Sequence, residues 1–403
     1  MITPEDIGGE IAGVVSRVRR NFGWYDELVR ACGYDEEARP ERLPFIDEAT
    51  LNQYYYNTAY PQLDDCLTYH TSGTSTGERK RILYSAEDHA RYVEQRSQIF
   101  ARFISAECRL ACSDLGTGHA AASSAEIFAR LGLESFDIDF RRPVREHVEL
   151  LNARRPDVLF TMPVILDNIV RTGALRHRPK RIIVVGDVAT ASWKSYVADH
   201  FALRRSDLLD IVGSIEVGAI AHECFACGLY HLGAHLLAET ISPSDLFGDA
   251  GYRGSARVMV LTSTTRTVFP AIRFVTGDLV EGFTRLRCGG ETVYAFEKIT
   301  GRVGSELKNG EKISIYDICE AVNRYLPGGL FEARQDPGRL VIRICSPDFT
   351  RDKAEQIKAF IKESNPAVRQ MIESELVGDI EVCGVAAGEL TPAAAKKIFR
   401  VKR

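Results

Sequence analysis

Apolar residues recur at helical spacing along Ile11, Val14, Val15, Val18 and Phe22, and Trp24, Tyr25, Leu28 and Val29 continue the stripe. The spacing predicts an amphipathic helical cover from Ile7 to Cys32. Pro40, Pro44 and Pro61 then interrupt regular structure around the aromatic run Tyr54-Tyr55-Tyr56, and the short apolar segment Cys66-Leu67-Thr68-Tyr69 ends this lead-in. Arg81 to Ser85 reads as a strand, with Ser85 capping a helix from Ala86 towards Phe103; Ser85 and Asp88 fit capping-box spacing only loosely.

Short strands and longer helices alternate after that. Leu110 to Ser113 leads into the small-residue stretch Leu115 to His119 and a helix from Ala121 to Leu131, while Val158 to Thr161 precedes Pro163, which can open a helix to Val170. Arg181-Ile182-Ile183-Val184-Val185 is the clearest buried strand, and a helix follows around Trp193 to Phe201. Alternation of this kind predicts an α/β fold with mixed, largely parallel sheets and flanking helices, whose ligands sit at the carboxyl ends of strands. Beyond Ile211 the pattern turns to β, with strands expected at Arg257 to Thr262, Ala271 to Val275 and Thr292 to Ile299. From Lys308 on, helices near Tyr316 to Tyr325 and Asp352 to Ser364, with strands at Phe331 to Ala333, Leu340 to Ile344 and Ile380 to Val382, predict a small α+β C-terminal domain. The joint falls at Gly301-Arg302-Val303-Gly304-Ser305, so the expected domains are 1–303 and 304–403.

A chain of 403 residues exceeds what one core usually serves, in keeping with that division. Its 51 basic and 55 acidic side chains leave a formal charge of −4, so neither nucleic acid nor an anionic membrane is expected as a partner. No basic, apolar leader is visible, and no run approaches the ~20 apolar residues of a membrane helix. With ten cysteines, this argues for reduced thiols or metal ligands in the cytoplasm rather than a disulfide framework.

Two stretches carry candidate chemistry on their own residues. Thr71-Ser72-Gly73-Thr74-Ser75-Thr76-Gly77-Glu78-Arg79-Lys80 is dense in N–H and O–H donors and closes on two cations, which suits a nucleotide's phosphates; an ordinary Gly/Ser turn has the same composition. Glu223-Cys224-Phe225-Ala226-Cys227-Gly228-Leu229-Tyr230-His231 supplies two thiols and an imidazole, and Cys288 completes a closed tetrahedral set of the kind that holds structural zinc. His222 and His235 are alternative ligands, and a redox or merely buried Cys-x-x-Cys is the other reading.

Five stretches stand in one order: the Thr71 to Lys80 loop, Ile211 to Gly218, Ile272 to Leu279, Ile299 to Arg302, and Lys396-Lys397-Ile398-Phe399-Arg400. This succession resembles the adenylate-forming superfamily of acyl-CoA synthetases, peptide-synthetase adenylation domains and luciferases, and within it the phenylacetate-CoA ligase and coenzyme F390 synthetase branch. The resemblance runs from about Tyr69 to Arg403. It implies that Thr71, Ser72, Gly73, Thr74, Ser75, Thr76, Gly77 and Lys80 hold the β- and γ-phosphates of ATP. Gly213 and Ser214 would lie against the nucleotide, Glu216 would ligate Mg²⁺, and Asp278 and Arg302 would bind the ribose. Lys397 would contact the substrate carboxylate and the α-phosphate, with Lys396 as its rival. The zinc set, Cys224, Cys227, His231 and Cys288, has the layout of that branch's structural zinc site. On the residues alone, Glu216 could be a solvated turn carboxylate and Asp278 an Asx-turn.

The implied activity is AMP-forming activation of a carboxylic acid, then transfer to a thiol, with coenzyme A the expected acceptor. The C-terminal domain would move as a lid. Ala120, Ala121, Ala122, Ser123 and Ser124, where the family's acyl pocket begins, suggest an aromatic or similarly bulky acid, although close helix packing gives the same composition. A carrier-protein thiol or an amine remain open as acceptors, a homodimer is admitted, and a non-catalytic binding homologue is the rival from another class. Four departures stand out: Ser75 is an extra loop residue, Val212 replaces an adenine-stacking aromatic, Ile215 replaces a hydroxyl residue, and Gly304-Ser305 replaces the hinge acids.

Overall fold

The computed structural model describes residues 8–34, 42–70, 80–116, 118–248, 255–303, 307–336, 339–390 and 400–401. Among them no helix is long and apolar enough to cross a membrane. Contacts divide the chain into two units: 1–105, 117–133 and 211–298 form the first, and 106–116, 134–210 and 299–403 the second.

In the first unit, the apolar stripe at the start of the chain folds as the helices Gly8–Asn21 and Gly23–Ala31, burying Val18, Phe22, Tyr25 and Val29. The strands Leu67–His70 and Arg81–Tyr84 pair antiparallel, and Ser85 caps the helix Ala86–Phe103 by accepting from the Asp88 N–H at 3.0 Å. The second half of the capping box is not made, because the Asp88 carboxylate is used elsewhere. Two antiparallel sheets complete the unit. One orders Leu236–Ile241, Arg257–Ser263 and Phe274–Glu281. The other runs from the Thr284–Cys288 and Glu291–Phe296 hairpin through Tyr230–Leu232 and Gly218–Glu223 to Ile211 and its neighbours.

The strand expected at Ala271 to Val275 begins at Phe274 and runs on to Glu281, across Gly277. Its pairing slips there: Val258 faces Leu279, but Val260 faces Val275. Thr276, Gly277 and Asp278 therefore bulge opposite Met259, with Gly277 at φ +77°, a conformation a β-carbon would strain.

The second unit carries the predicted α/β alternation. The strands Arg181–Val185, Val158–Thr161, Leu110–Leu115 and Glu134–Asp139 lie side by side and parallel in that order. Pro163 opens the helix Pro163–Arg171 at its first turn, and Thr190 caps Ala191–Phe201. The C-terminal residues build a further core, where Ile318, Val322, Leu340, Ile342, Ile357 and Ile361 are fully buried. Around it lie the capped helices Ile315–Tyr325 and Arg351–Ser364 and a sheet ordered Glu381–Gly384, Arg339–Cys345, Leu330–Asp336, Arg400–Val401. This matches the expected α/β class with a small α+β C-terminal domain.

Candidate functional site

Gly213, Ser214 and Glu216 come together in one tight hairpin. Ser214 pairs with Gly218, so Ile215, Glu216 and Val217 form the turn, and the Val217 N–H donates to the Ser214 hydroxyl at 3.3 Å. The turn's own carbonyls are tied down from outside. The Tyr84 hydroxyl donates to the Ile215 carbonyl at 2.7 Å, and Arg266 Nε donates to the Glu216 carbonyl at 2.9 Å. Among the described residues no hydrogen bond or ion pair engages the Glu216 carboxylate, which leaves it available to a cation.

Arg266 is the anchor of this arrangement, and no pattern in the sequence singles it out. Its guanidinium is buried, pairs with Asp88, donates to the Leu83 carbonyl at 2.8 Å and lies 3.7 Å above the centroid of the Tyr84 ring. Asp88 also accepts from the Thr267 N–H at 2.7 Å and the Thr267 hydroxyl at 2.8 Å. A satisfied buried ion pair thus fixes the Glu216 backbone while leaving its side chain out of the network.

Arg96 lies on the other side of the hairpin. Its Nη2 donates to the Val212 carbonyl at 3.0 Å, and a β-carbon at Gly213 would run into that nitrogen, so a larger residue there would displace the guanidinium. Val212, in place of the expected aromatic, is half-buried. Nearby, the His119 ring is enclosed by Tyr69, Tyr84 and Tyr92, with ring centroids 4.5, 4.1 and 3.9 Å away. Burial first, and then the neighbouring His89, Arg266 and Arg96, push its pKa down to about 2, so the ring is neutral. One of its nitrogens contacts His89 at 3.1 Å, and His89 reaches Glu126 at 2.8 Å.

Of the small residues after Gly118, Ser123 and Ser124 are buried, Ala120 and Ala121 half-buried and Ala122 exposed. They lie in the helix His119–Arg130, which packs on Ala86–Phe103 and buries Ser123 and Ser124. A β-carbon at Gly118 would already lie 3.3 Å from the Ile215 side chain.

The other expected nucleotide contacts that are described sit on separate elements. Lys80 pairs with Glu48 at 2.5 Å and lies 5.3 Å from the Tyr56 ring centroid. Asp278 is half-buried in the bulge, where its N–H donates to the Thr276 hydroxyl at 3.0 Å. Arg302 ends the strand Lys298–Arg302, exposed, in the second unit. Thr71, Ser72, Gly73, Thr74, Ser75, Thr76, Gly77, Gly304, Ser305, Lys396 and Lys397 lie outside the described residues.

The candidate metal ligands do converge. The Cys224 N–H donates to the Leu229 carbonyl and the Gly228 N–H to the Cys224 carbonyl, both at 2.8 Å, folding Cys224 to Leu229 into a knuckle that turns at Gly228, φ +76°. Cys288 arrives from the neighbouring hairpin, whose Gly289-Gly290 turn takes positive φ at both residues. One ligand atom each from Cys224, Cys227, His231 and Cys288 falls within 4.8 Å of every other. The Cys224 and Cys288 sulfurs are 3.9 Å apart, against the about 3.8 Å expected when two Zn–S bonds of about 2.3 Å meet at a tetrahedral centre. Burial opposes ionisation of Cys224, yet hydrogen bonds from the Cys227 and Ala226 N–H groups and from the neighbouring thiols hold it below the ordinary thiol range. Burial keeps His231 neutral. Three sulfurs and a neutral imidazole suit zinc, and His222 and His235 fall outside the set.

Residues 308–387 match the family model described as the fumarate–diaminopropanoate ligase C-terminal domain. Over 388 residues the chain is 42% identical to the fumarate–(S)-2,3-diaminopropanoate ligase of Enterobacter agglomerans, covering 96% of this chain and 97% of that one. A 2-hydroxyisobutyryl-CoA ligase in its postadenylation state matches the fold with a TM-score of 0.77 at 17% identity, over 99% of this chain and 89% of its own. An amide bond synthetase from Marinactinospora thermotolerans matches with a TM-score of 0.54 at 15% identity, over 90% and 71%. Together these support the superfamily read from the motifs, and not the phenylacetate-CoA ligase and coenzyme F390 synthetase branch. The chain belongs to the fumarate–diaminopropanoate ligase family and has the fold of the acyl-CoA ligases that activate acids as adenylates.

Proposed function

We propose that the chain activates a small dicarboxylic acid, fumarate or a close analogue, with ATP, and joins the acyl group to the amine of a diamino acid as an amide. The observation that carries this reading is the 42% identity, end to end, with a ligase whose name gives both a dicarboxylic acid and a diamino acid. It sets aside the aromatic acid and the coenzyme A thiol expected from the motifs in favour of a smaller acid and a nitrogen acceptor.

Adenylation makes the carboxyl oxygen a good leaving group; the amine then attacks the acyl carbon and AMP departs. The protein's contribution is to align the reactants and offset their negative charge. Glu216 would hold Mg²⁺, which supplies charge neutralisation at the phosphates. Thr71 to Gly77 and Lys80 would hold the phosphates, Gly213 and Ser214 would border the nucleotide, Asp278 and Arg302 would bind the ribose, and Lys397, on the lid from 304 onward, would bridge the acid and the α-phosphate.

Acid-dependent exchange of labelled pyrophosphate into ATP tests the first half-reaction. Exchange is expected with fumarate and much less with phenylacetate; a preference for aromatic acids would overturn the reading.

Zinc at Cys224, Cys227, His231 and Cys288 would staple the knuckle to the Thr284–Cys288 hairpin. About one zinc per chain is expected by elemental analysis, as for a closed four-ligand site. Chelation or Cys288→Ser should lower the melting temperature by several degrees while leaving secondary structure recognisable. Metal-free protein that melts unchanged after chelation would contradict it.

A further inference from the structure

A guanidinium held out of water without an anion is a costly arrangement, and Arg96 is in that position. The residue is 2% exposed. Its one hydrogen bond among the described residues is to a neutral carbonyl, that of Val212, while Nε and Nη1 are buried with no partner. Those two nitrogens carry three of the five N–H donors of an arginine. No carboxylate pairs with it among the described residues. Histidines feel its charge: His119 is neutral for the reasons given above, and burial first, then Arg96, holds His235 at about 4. The ring nitrogens His119 Nδ1, His222 Nδ1 and His235 Nε2 are likewise buried without a partner. A buried charge left uncompensated costs several kcal/mol, so the arrangement calls for an anion that the polypeptide does not provide.

Its place in the fold says which anion. Arg96 supports Val212 and Gly213, the residues that lead directly into the Ser214, Ile215 and Glu216 turn. An acid activated at that turn presents its reacting carboxylate to the nucleotide, and a trans dicarboxylate points its second carboxylate away from it. We infer that Arg96 is the receptor for the non-reacting carboxylate of the acid and so sets the preference for dicarboxylic over monocarboxylic substrates. The inference rests on the acid-activating reading above. Arg96 binds substrate without taking part in bond making; its guanidinium gains a charge-assisted partner, and the anion is selected because a neutral methyl or ester group would leave the buried nitrogens unpaired.

The test compares fumarate with crotonate, which keeps the trans four-carbon skeleton and replaces the second carboxylate with a methyl group. In pyrophosphate exchange, Arg96→Met should lower kcat/KM for fumarate by roughly 100-fold, mostly through KM, as expected for removing one partner of a buried ion pair. The loss with crotonate should be far smaller, so the fumarate-to-crotonate ratio collapses. Arg96→Lys, which keeps the charge and loses the fork, should fall between. Fumarate without ATP should raise the melting temperature of the unaltered chain, and crotonate should not; this readout stands even if the variants fold poorly. Variants that lose activity equally on both acids, or an unaltered chain stabilised equally by both, would overturn the assignment of Arg96. Exchange by the unaltered chain with neither acid would instead strike at the proposed function.

Discussion

Replacing Arg266 with alanine is expected to destabilise the first unit by about 3–5 kcal/mol, the usual cost of removing one partner from a buried ion pair. The side chains of Arg266 and Asp88 are 4% and 0% exposed. Without the guanidinium, the Asp88 carboxylate keeps its Thr267 donors but loses its counter-charge, and the carbonyls of Leu83 and Glu216 lose theirs as well. A loss of that size is a large part of the roughly 5–15 kcal/mol that holds a typical domain together. Asp88→Asn should cost a comparable amount, because the amide still accepts from Thr267 but leaves the buried Arg266 guanidinium without its counter-charge. Urea unfolding of the two variants checks both losses. A change under about 1 kcal/mol for Arg266→Ala, the size of an exposed pair, would contradict the role given to it. Variants that fold should also lose pyrophosphate exchange, since the turn bearing Glu216 loses its anchor.

Lowering the pH from 7.5 to 5 is expected to destabilise the chain steeply, through histidines rather than carboxylates. His119 is pushed down to about 2, and His222 and His235 to about 4, in each case chiefly by burial. A folded pKa below the unfolded value of about 6.5 means that the unfolded chain takes up protons first as the pH falls. The stability these rings allow is therefore complete above pH 6.5 and is lost below it, down to about 4 for His222 and His235 and about 2 for His119, so all three share the window from 6.5 to 4. Each contributes about 1.4 kcal/mol per pH unit in that window, so three together give about 4 kcal/mol per unit. His177 and His200 shift the same way. His147 opposes them: its burial is outweighed by hydrogen bonds to Asp114 and the Arg142 carbonyl, so its pKa rises. Denaturant unfolding at pH 7.5, 6.5, 5.5 and 5 measures the slope. A flat profile, or greater stability at pH 5, would show that the rings are not held neutral as the structure has them.

How far the sequence could be read depended on whether the information was local. Caps and apolar periodicity placed Ala86–Phe103, Arg181–Val185 and Ile315–Tyr325 within a residue or two, because each is set by its own side chains and burial pattern. The Cys/His cluster was legible for the same reason: Cys224, Cys227 and His231 lie within eight positions of the chain, and Cys288 sits beside a Gly-Gly turn. The Thr276-Gly277-Asp278 bulge was not, since a strand that crosses a glycine at positive φ depends on what faces it. Arg266 and Asp88 are 178 residues apart in the chain, and a lone arginine in a threonine loop carries no pairing signal. Arg96 was hidden differently, as one cation on a helix rich in exposed charge. Only its burial and its unpartnered nitrogens distinguish it.

The most direct test of the proposed chemistry is product analysis of the purified chain with ATP, Mg²⁺, fumarate and (S)-2,3-diaminopropanoate. The prediction is equal amounts of AMP, pyrophosphate and an amide with the combined mass of the two acids less one water, with no product lacking either acid and no dependence on coenzyme A. Release of ADP and phosphate, or a coenzyme A thioester with no amide, would contradict it.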